Sequence, residues 1–187
     1  RLVQVVLPRR AAGVDHADAQ FAIGIGHGVA QDFVDFRVGH GLEGEPCADA
    51  TIVQDLDGTH WLFVNKAFDK FKDNTSHLYI YRIDDLDSFK LTPHERNPVV
   101  TDSRHARNGG SCFIDGDGRL LRPAQCNRHG IYGESLVLCN IKQLSLSTYE
   151  EEIVETIRPH FKDGLFATHH LTMLDELFVI DGCYRHR

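Results

Sequence analysis

The feature that most constrains this chain is a strand–turn–strand pattern that recurs about every 60 residues. "TIVQDLDGTHWLFV" places an Asp-Gly turn at Gly58 between two apolar runs, and "SCFIDGDGRLLRPAQ" repeats the pattern at Gly118. A third copy starts at "GLFATHHLTMLDELFVIDGC", where Glu176 takes the turn position. Short strands at such a period are typical of propeller blades. An antiparallel sandwich with coincidental spacing is the alternative.

The predicted fold is therefore all-β, with about three propeller-like blades. The predicted units are 47–100, 101–160 and 161–187. Residues 1–45 follow neither a helical nor a strand period, so we predict no defined structure there and little contribution to the core. Residues 46–187 form the predicted propeller-like domain. The stretch "YEEEIVETI" is predicted to be extended, with a solvated corner at Glu150, Glu151 and Glu152.

Composition narrows the classes of function. The formal net charge is −7, and the one local basic cluster (Arg104, His105 and Arg107) is too small to neutralise a phosphate backbone, so nucleic acid is not an expected partner. No apolar stretch is long enough for a transmembrane helix. The five cysteines are odd in number and lack C-x-x-C spacing, which favours reduced thiols and a cytoplasmic location. The initial Arg suggests a fragment or a processed chain.

Polar residues recur on the first strand of each predicted unit. In a propeller this strand faces the central channel, where polar groups suit a ligand-lined mouth better than a core. An exposed blade rim is the alternative for any single residue. The recurring positions are Asp49 in "CADATIV", Arg107 and Asn108 in "ARNGGSCF", and Thr168, His169 and His170 in "ATHHLTM".

The strand "RLLRPAQ" adds two further candidates for ligand binding. Arg122 offers a planar five-donor fork, and Gln125 offers both a donor and an acceptor, which suits sugar hydroxyls, carboxylates or phosphates. Gly109 and Gly110 are predicted to let the backbone approach the ligand. A metal site is disfavoured because neighbouring residues such as His169 and His170 point to opposite faces of a strand. We expect no cofactor.

The segment "CADATIVQDLDGTHWLF" resembles the A-D-P motif that opens a blade in the five-bladed propeller glycoside hydrolases, the arabinanases and β-xylosidases. The resemblance implies that Asp49 acts as the general base. Ala50 replaces the proline of that motif.

A longer resemblance covers roughly Pro46 to the end. "HERNPVVTDSRHARNGG", "GRLLRPAQ", "YGESLVLCNI", "YEEE" and "THHL" are similar to the propeller-type domain that precedes the transferase domain in plant glucosamine inositolphosphorylceramide transferases. Similar domains occur in bacterial proteins, some of them linked to formyltransferase-like domains. This resemblance implies a sugar or sugar-phosphate ligand and a transferase domain as partner in a longer chain. It also implies that the chain is an incomplete five-bladed propeller with about three of the five blades.

Whether the chain is an enzyme stays open at this point. Glycoside hydrolysis needs two carboxylates, one of them protonated. Asp49 is a candidate base, whereas Asp102 and Glu134 are weaker candidates outside any recognisable acid motif. Three functions are consistent with the sequence: a carbohydrate-processing domain, a non-catalytic glycan-binding module, and an inactive truncated family member.

Overall fold

The computed structural model describes residues 2–8, 22–24, 42, 47–67, 74–174 and 177–184. In chain order the strands are β1 (Leu2–Pro8), β2 (Ala22–Gly24), β3 (Cys47–Gln54), β4 (His60–Lys66), β5 (Leu78–Asp85), β6 (Lys90–Pro93), β7 (Arg107–Asn108), β8 (Phe113–Ile114), β9 (Leu120–Cys126), β10 (Ser135–Leu144), β11 (Tyr149–Ile157), β12 (Leu165–Ala167), β13 (Leu171–Leu174) and β14 (Leu177–Tyr184). Two short 3-10 turns cover Arg128–Gly130 and Pro159–Phe161.

The strands form three antiparallel sheets, which confirms the all-β prediction. Sheet 1 has the order β3-β4-β5-β6, and sheet 2 has the order β7-β9-β10-β11 with β8 also paired to β9. Sheet 3 has the order β12-β14-β1-β2 with β13 also paired to β14. The predicted units 47–100 and 101–160 supply sheets 1 and 2, and the unit 161–187 supplies three of the five strands of sheet 3. In the part of the chain described, no helix is long and apolar enough to cross a membrane.

The two Asp-Gly hairpins share one turn geometry. The backbone carbonyl of Asp55 accepts a hydrogen bond from the Gly58 amide at 3.1 Å, and that of Asp115 accepts one from Gly118 at 3.2 Å. Both glycines have positive φ values, 82° and 77°, which a side chain would disfavour. The turn of the third unit contains Glu176 and lies outside the described residues.

Part of the segment before residue 46 belongs to sheet 3. Strand β1 pairs with β14 along its full length, from Leu2 opposite Cys183 to Pro8 opposite Leu177, and β2 pairs with β1. The sequence pattern predicted no structure for this region. The pairing joins the beginning of the chain to its last strand, while the predicted domain boundary at residue 46 stays a prediction.

The core lies between successive sheets. One cluster joins Trp61, Phe63 and Ile80 of sheet 1 to Leu120 of sheet 2. The next residue along β9, Leu121, faces the opposite way and packs in a second cluster that includes Leu171 and Ile180 of sheet 3. Side chains alternate across a strand, so β9 contributes to both layers. A third cluster, which includes Leu62 and Leu42, covers the other face of sheet 1.

The first strand of every sheet is interrupted. In sheet 1 the register between β3 and β4 shifts between Ala48 and Thr51. In sheet 2 the strand is broken into β7 and β8, and in sheet 3 into β12 and β13, so that both pieces pair with a single neighbour. In sheets 1 and 3 the interruption falls on polar positions that the sequence singled out, Asp49 and residues 168–170, and in sheet 2 it directly follows Arg107 and Asn108.

Candidate functional site

Four side chains from the interrupted strands and an adjacent connection form one surface, which we call the junction surface. Asp49 comes from sheet 1, Arg107 from sheet 2, His169 from sheet 3, and Tyr132 from the connection between β9 and β10. Neighbouring members are in contact, as described below. Thus Asp49, Arg107 and His169, which the sequence predicted as site residues, lie together in the structure.

Asp49 and Arg107 make the first contact of the junction surface. Arg107 Nε donates a hydrogen bond to Asp49 Oδ2 at 2.5 Å, across 58 positions in sequence. The Asp49 side chain is 35% exposed and that of Arg107 15% exposed. Asp49 has φ 49°, a left-handed conformation that aspartate tolerates better than most residues, and this conformation forms the bulge in β3. Only Nε of Arg107 hydrogen-bonds within the described residues, so its two terminal nitrogens stay available to a ligand.

Asn108 holds these strands in register from below the surface. Its side-chain amide donates to the Asp49 carbonyl at 2.8 Å, which ties β7 to the bulge in β3. Its own backbone N–H donates to Asn65 Oδ1 at 2.9 Å. Both asparagines are buried, and a buried amide without partners would cost free energy. The position of the Asp49–Arg107 pair therefore depends on this interior contact.

Arg122 lies in the interior, fully buried at 0% exposure, within a set of polar residues that we call the buried network: Arg122, Glu151, His105, Asn108 and Tyr149. Its guanidinium donates to both carboxylate oxygens of Glu151, at 2.9 and 2.7 Å. It also donates to the His105 carbonyl at 2.7 Å and to Asn108 Oδ1 at 3.1 Å. The sequence predicted that Arg122 contacts a ligand; in this structure its donors are used within the protein.

Glu151 differs from its predicted surroundings. Strand β11 is extended as predicted, but the Glu151 side chain is only 4% exposed and does not lie at a solvated corner. Burial raises the pKa of its carboxyl, but the Arg122 charge and the hydrogen bonds from His105, Arg122 and Tyr149 together outweigh burial and lower the pKa to about 2. The register of β11 turns this residue inward while its neighbours face solvent.

Gln125 connects the buried network to the junction surface. It lies opposite Arg107 in the β7–β9 register, and its side-chain amide donates to the Asn108 carbonyl at 3.0 Å. Its amide oxygen is buried and has no hydrogen-bond partner among the described residues. The Tyr132 side chain interacts with Gln125, but not with the geometry of a hydrogen bond. Gln125 thus has an unfilled acceptor beside the junction surface.

Gly109 and Gly110 bring backbones together, where the sequence predicted close approach to a ligand. The Gly109 carbonyl accepts a hydrogen bond from the Leu171 amide at 2.7 Å, joining sheet 2 to sheet 3. A Cβ at Gly110, whose φ is 140°, would lie 1.8 Å from the Leu171 carbonyl oxygen. A Cβ at Gly109 would lie 2.7 Å from a Leu136 methyl group. Both glycines are therefore needed for the packing that sets the junction.

Tyr132 occupies the middle of the junction surface and is about half-exposed, at 49%. The Arg107 guanidinium carbon lies 5.1 Å from the centre of its ring, a cation–π contact. The His169 ring meets Tyr132 edge to face at 5.3 Å. Burial raises the pKa of the Tyr132 hydroxyl, and the nearby Asp49 charge adds to this, while Arg107 opposes it.

Asp181 in β14 holds His169 in place. His169 Nδ1 contacts Asp181 Oδ2 at ion-pair distance, although not at the angle of a hydrogen bond. The other carboxylate oxygen accepts from the backbone amides of His169 and His170, at 2.8 and 2.9 Å. Burial alone would raise the pKa of Asp181, but His169 and these amides hold it below its usual value.

Asp102 and Glu134, the weaker catalytic candidates, make their contacts away from the junction surface. Asp102 binds Arg104 through both carboxylate oxygens and lines an open cleft of about 560 Å³ beside His105 and Tyr149. Glu134 contacts Arg128 and His129. In the described part of the chain, neither carboxylate makes a hydrogen bond or ion pair with an Asp49 partner.

A second cluster has the residue types of a metal site. The ligand atoms of His105, Cys139 and Glu151 lie within 4.8 Å of one another. Glu151 is already bound by the Arg122 guanidinium, whose positive charge opposes a cation. Burial raises the pKa of the Cys139 thiol to about 12, which keeps the thiolate that a metal needs scarce. These residues do not fit a metal. All five cysteines are free thiols. The sequence likewise favoured reduced thiols over disulfides.

Sequence reasoning missed Tyr132 and Asp181. Tyr132 precedes Gly133 in the "YG" pair, and a Cβ at Gly133 would lie 2.9 Å from His169 Cβ, so this glycine allows the connection to lie against β12 and β13. The glycine was the available signal. Asp181 stands before Gly182 and has the appearance of a turn residue, so nothing local indicated a buried carboxylate.

Comparison with known proteins gave no match: no family model, no curated protein and no solved structure is similar to this chain. The functional argument therefore rests on the residues and their geometry.

Proposed function

We propose that this protein binds a carbohydrate at the junction surface. The observation that carries the proposal is the convergence of Asp49, Arg107 and His169, from three separate sheets, on the half-exposed ring of Tyr132. Asp49 and His169 lie where the first strand of their sheets is interrupted, and Arg107 lies in β7, shortly before the break in sheet 2. Polar groups that converge around an aromatic ring are typical of a ligand site rather than of a packed core.

The chemistry of these groups suits a sugar. The terminal nitrogens of Arg107 donate hydrogen bonds, while the Asp49 carboxylate accepts them, and sugar hydroxyls do both. An exposed tyrosine offers an apolar ring and a polar hydroxyl together. A sugar or sugar phosphate is therefore the ligand class we propose.

Binding is favoured over hydrolysis. A glycosidase needs a protonated acid opposite its base, with a raised carboxyl pKa. Asp49 is paired with Arg107, and the pKa of Asp181 is held below its usual value. Within the described residues, no carboxyl group beside Asp49 has a raised pKa. A glycan-binding module is thus the stronger form of the proposal, and a glycosidase-like activity of Asp49 is the second.

We further infer that the three sheets are blades of an incomplete five-bladed propeller. Their succession along the chain, the apolar layers between neighbours and the interrupted first strand of each support this. In this arrangement β1 and β2 complete the last blade. The transferase domain as partner and the cytoplasmic location stay predictions from the sequence.

A panel of mono- and oligosaccharides tests the proposal. Titration calorimetry on the wild-type chain is expected to detect binding of at least one sugar, and a Tyr132→Ala variant is expected to lose it. Ile114→Ala, which removes another exposed apolar side chain outside the junction surface, at the end of β8, is the matched control. Release of reducing sugar would favour the hydrolase alternative. Absence of binding across the panel would overturn the proposal.

A further inference from the structure

His169 has two ring nitrogens in different surroundings. Nδ1 is buried against the Asp181 carboxylate. Nε2 is not buried and makes no hydrogen bond with the described residues, and the side chain as a whole is 29% exposed. A carboxylate can only accept a proton, so a neutral His169 places its hydrogen on Nδ1 and leaves a lone pair on Nε2.

The orientation of this ring is strongly determined. The Asp181 carboxylate accepts hydrogen bonds from the backbone amides of His169 and His170. The backbone carbonyl of Asp181 accepts a hydrogen bond from the Thr168 hydroxyl at 2.7 Å. The Tyr132 ring lies against the imidazole. Nε2 of neutral His169 is therefore a hydrogen-bond acceptor at a fixed position on the junction surface.

The charges around this acceptor disfavour an anion. Asp49 and Asp181 each carry a negative charge, whereas Arg107 carries one positive charge that is already paired with Asp49. The adjacent His170 is the other titratable group in contact with Asp181, and burial lowers its pKa, which favours its neutral form. When His169 is neutral, an incoming phosphate or carboxylate thus meets a lone pair on Nε2 and a net negative surface.

We propose that Asp181 is a positioning residue that holds His169 Nε2 as a hydrogen-bond acceptor, so that the junction surface takes an uncharged sugar through a hydroxyl donor and discriminates against sugar phosphates. The proposal rests on the proposed carbohydrate binding and narrows its ligand class.

The first test needs no ligand. Long-range nitrogen–proton NMR spectra at about pH 8, where histidine is ordinarily neutral, report which ring nitrogen carries the hydrogen. The expected result is the Nδ1–H form for His169, assigned by its loss in His169→Gln. In Asp181→Asn this preference is expected to be lost. An Nε2–H form in the wild-type chain would overturn the proposal, and it does so even if Asp181→Asn fails to fold.

The second test uses matched sugar pairs: glucose with glucose 6-phosphate, galactose with galactose 6-phosphate, and arabinose with arabinose 5-phosphate. The uncharged member is expected to bind about tenfold or more tightly, and His169→Gln is expected to weaken it about two- to tenfold. His170→Gln is the control. Because His170 Nε2 contacts the Thr172 hydroxyl, this variant is expected to bind sugar as the wild-type chain does. Tighter binding of the phosphates overturns the proposal and leaves carbohydrate binding standing. If neither member of any pair binds, carbohydrate binding and the ligand class fall together, whatever the NMR result.

Discussion

Two arginine–carboxylate pairs, one within sheet 2 and one that joins sheet 2 to sheet 1, have opposite surroundings. The Arg122–Glu151 pair is buried, with side-chain exposures of 1% and 4%, and its contacts are all within the protein. The Arg107–Asp49 pair is partly exposed, at 15% and 35%, and makes a single hydrogen bond. Asn108 touches both pairs, since it accepts from Arg122 and donates to the Asp49 carbonyl.

This difference in burial indicates that the two arginine–carboxylate pairs have different roles. A buried pair in which every guanidinium nitrogen makes a hydrogen bond fixes the strands, and removing one partner leaves an uncompensated charge. A partly exposed pair contributes little to stability, but its spare donors can reach a ligand. We infer that the buried network is the scaffold and that the junction surface is the binding region.

The largest expected effect is on the scaffold. Arg122→Met leaves Glu151 charged and unpaired in the interior, and is expected to lower the free energy of unfolding by about 3–5 kcal/mol. Urea denaturation measures it. The double variant Arg122→Met/Glu151→Leu removes both charges and is expected to recover much of that loss. A single variant that costs less than about 1 kcal/mol would erase the distinction between the two pairs.

The buried pair also predicts a pH dependence. The pKa of Glu151 is about 2 in the folded protein, against 4.5 for the free side chain. Because the folded value is the lower one, this stabilisation is complete above about pH 4.5 and is lost as pH falls towards 2. Its size is about 3 kcal/mol. Glu151→Gln is expected to flatten stability against pH in this window, and an unchanged profile would contradict the buried pair.

The glycines test how the scaffold sets the junction. Gly110→Ala forces a Cβ against the Leu171 carbonyl in a left-handed backbone, so a loss of about 3 kcal/mol of stability is expected. Gly116→Ala is the matched control, since a Cβ there meets nothing within 4 Å. Thermal unfolding of the two variants is the measurement. Equal stabilities would mean that sheets 2 and 3 do not approach as described.

The sequence predicted what depends on neighbours along the chain. The Asp-Gly hairpins and the extended β11 are local patterns, and the polar residues on first strands follow from their repetition. The partner of Arg122 lies 29 positions away, and the register that buries Glu151 depends on a bulge in β10–β11 pairing. No local pattern encodes such a register. The pairing of β1 with β14 is longer-ranged still.

The same reasoning applies to the candidate site residues. Asp49, Arg107 and His169 were singled out because polar residues recur on the first strands of the three predicted units. Arg122 and Gln125 were chosen for their chemistry, which does not report burial. The residue type alone does not distinguish an arginine that stabilises the fold from one that binds a ligand.

Sugar binding by two arginine variants, one at the junction surface and one at the cleft, tests most directly the claim that the junction surface is the binding region. Arg107→Ala removes the donors of the junction surface, whereas Arg104→Ala breaks the exposed pair with Asp102 beside the cleft. Sugar titration by calorimetry is expected to show a loss of about 1.5–3 kcal/mol of binding in Arg107→Ala, roughly ten- to a hundredfold in affinity. Arg104→Ala is expected to bind as the wild-type chain does. A loss in Arg104→Ala with full affinity in Arg107→Ala would move the binding region to the cleft and contradict the account.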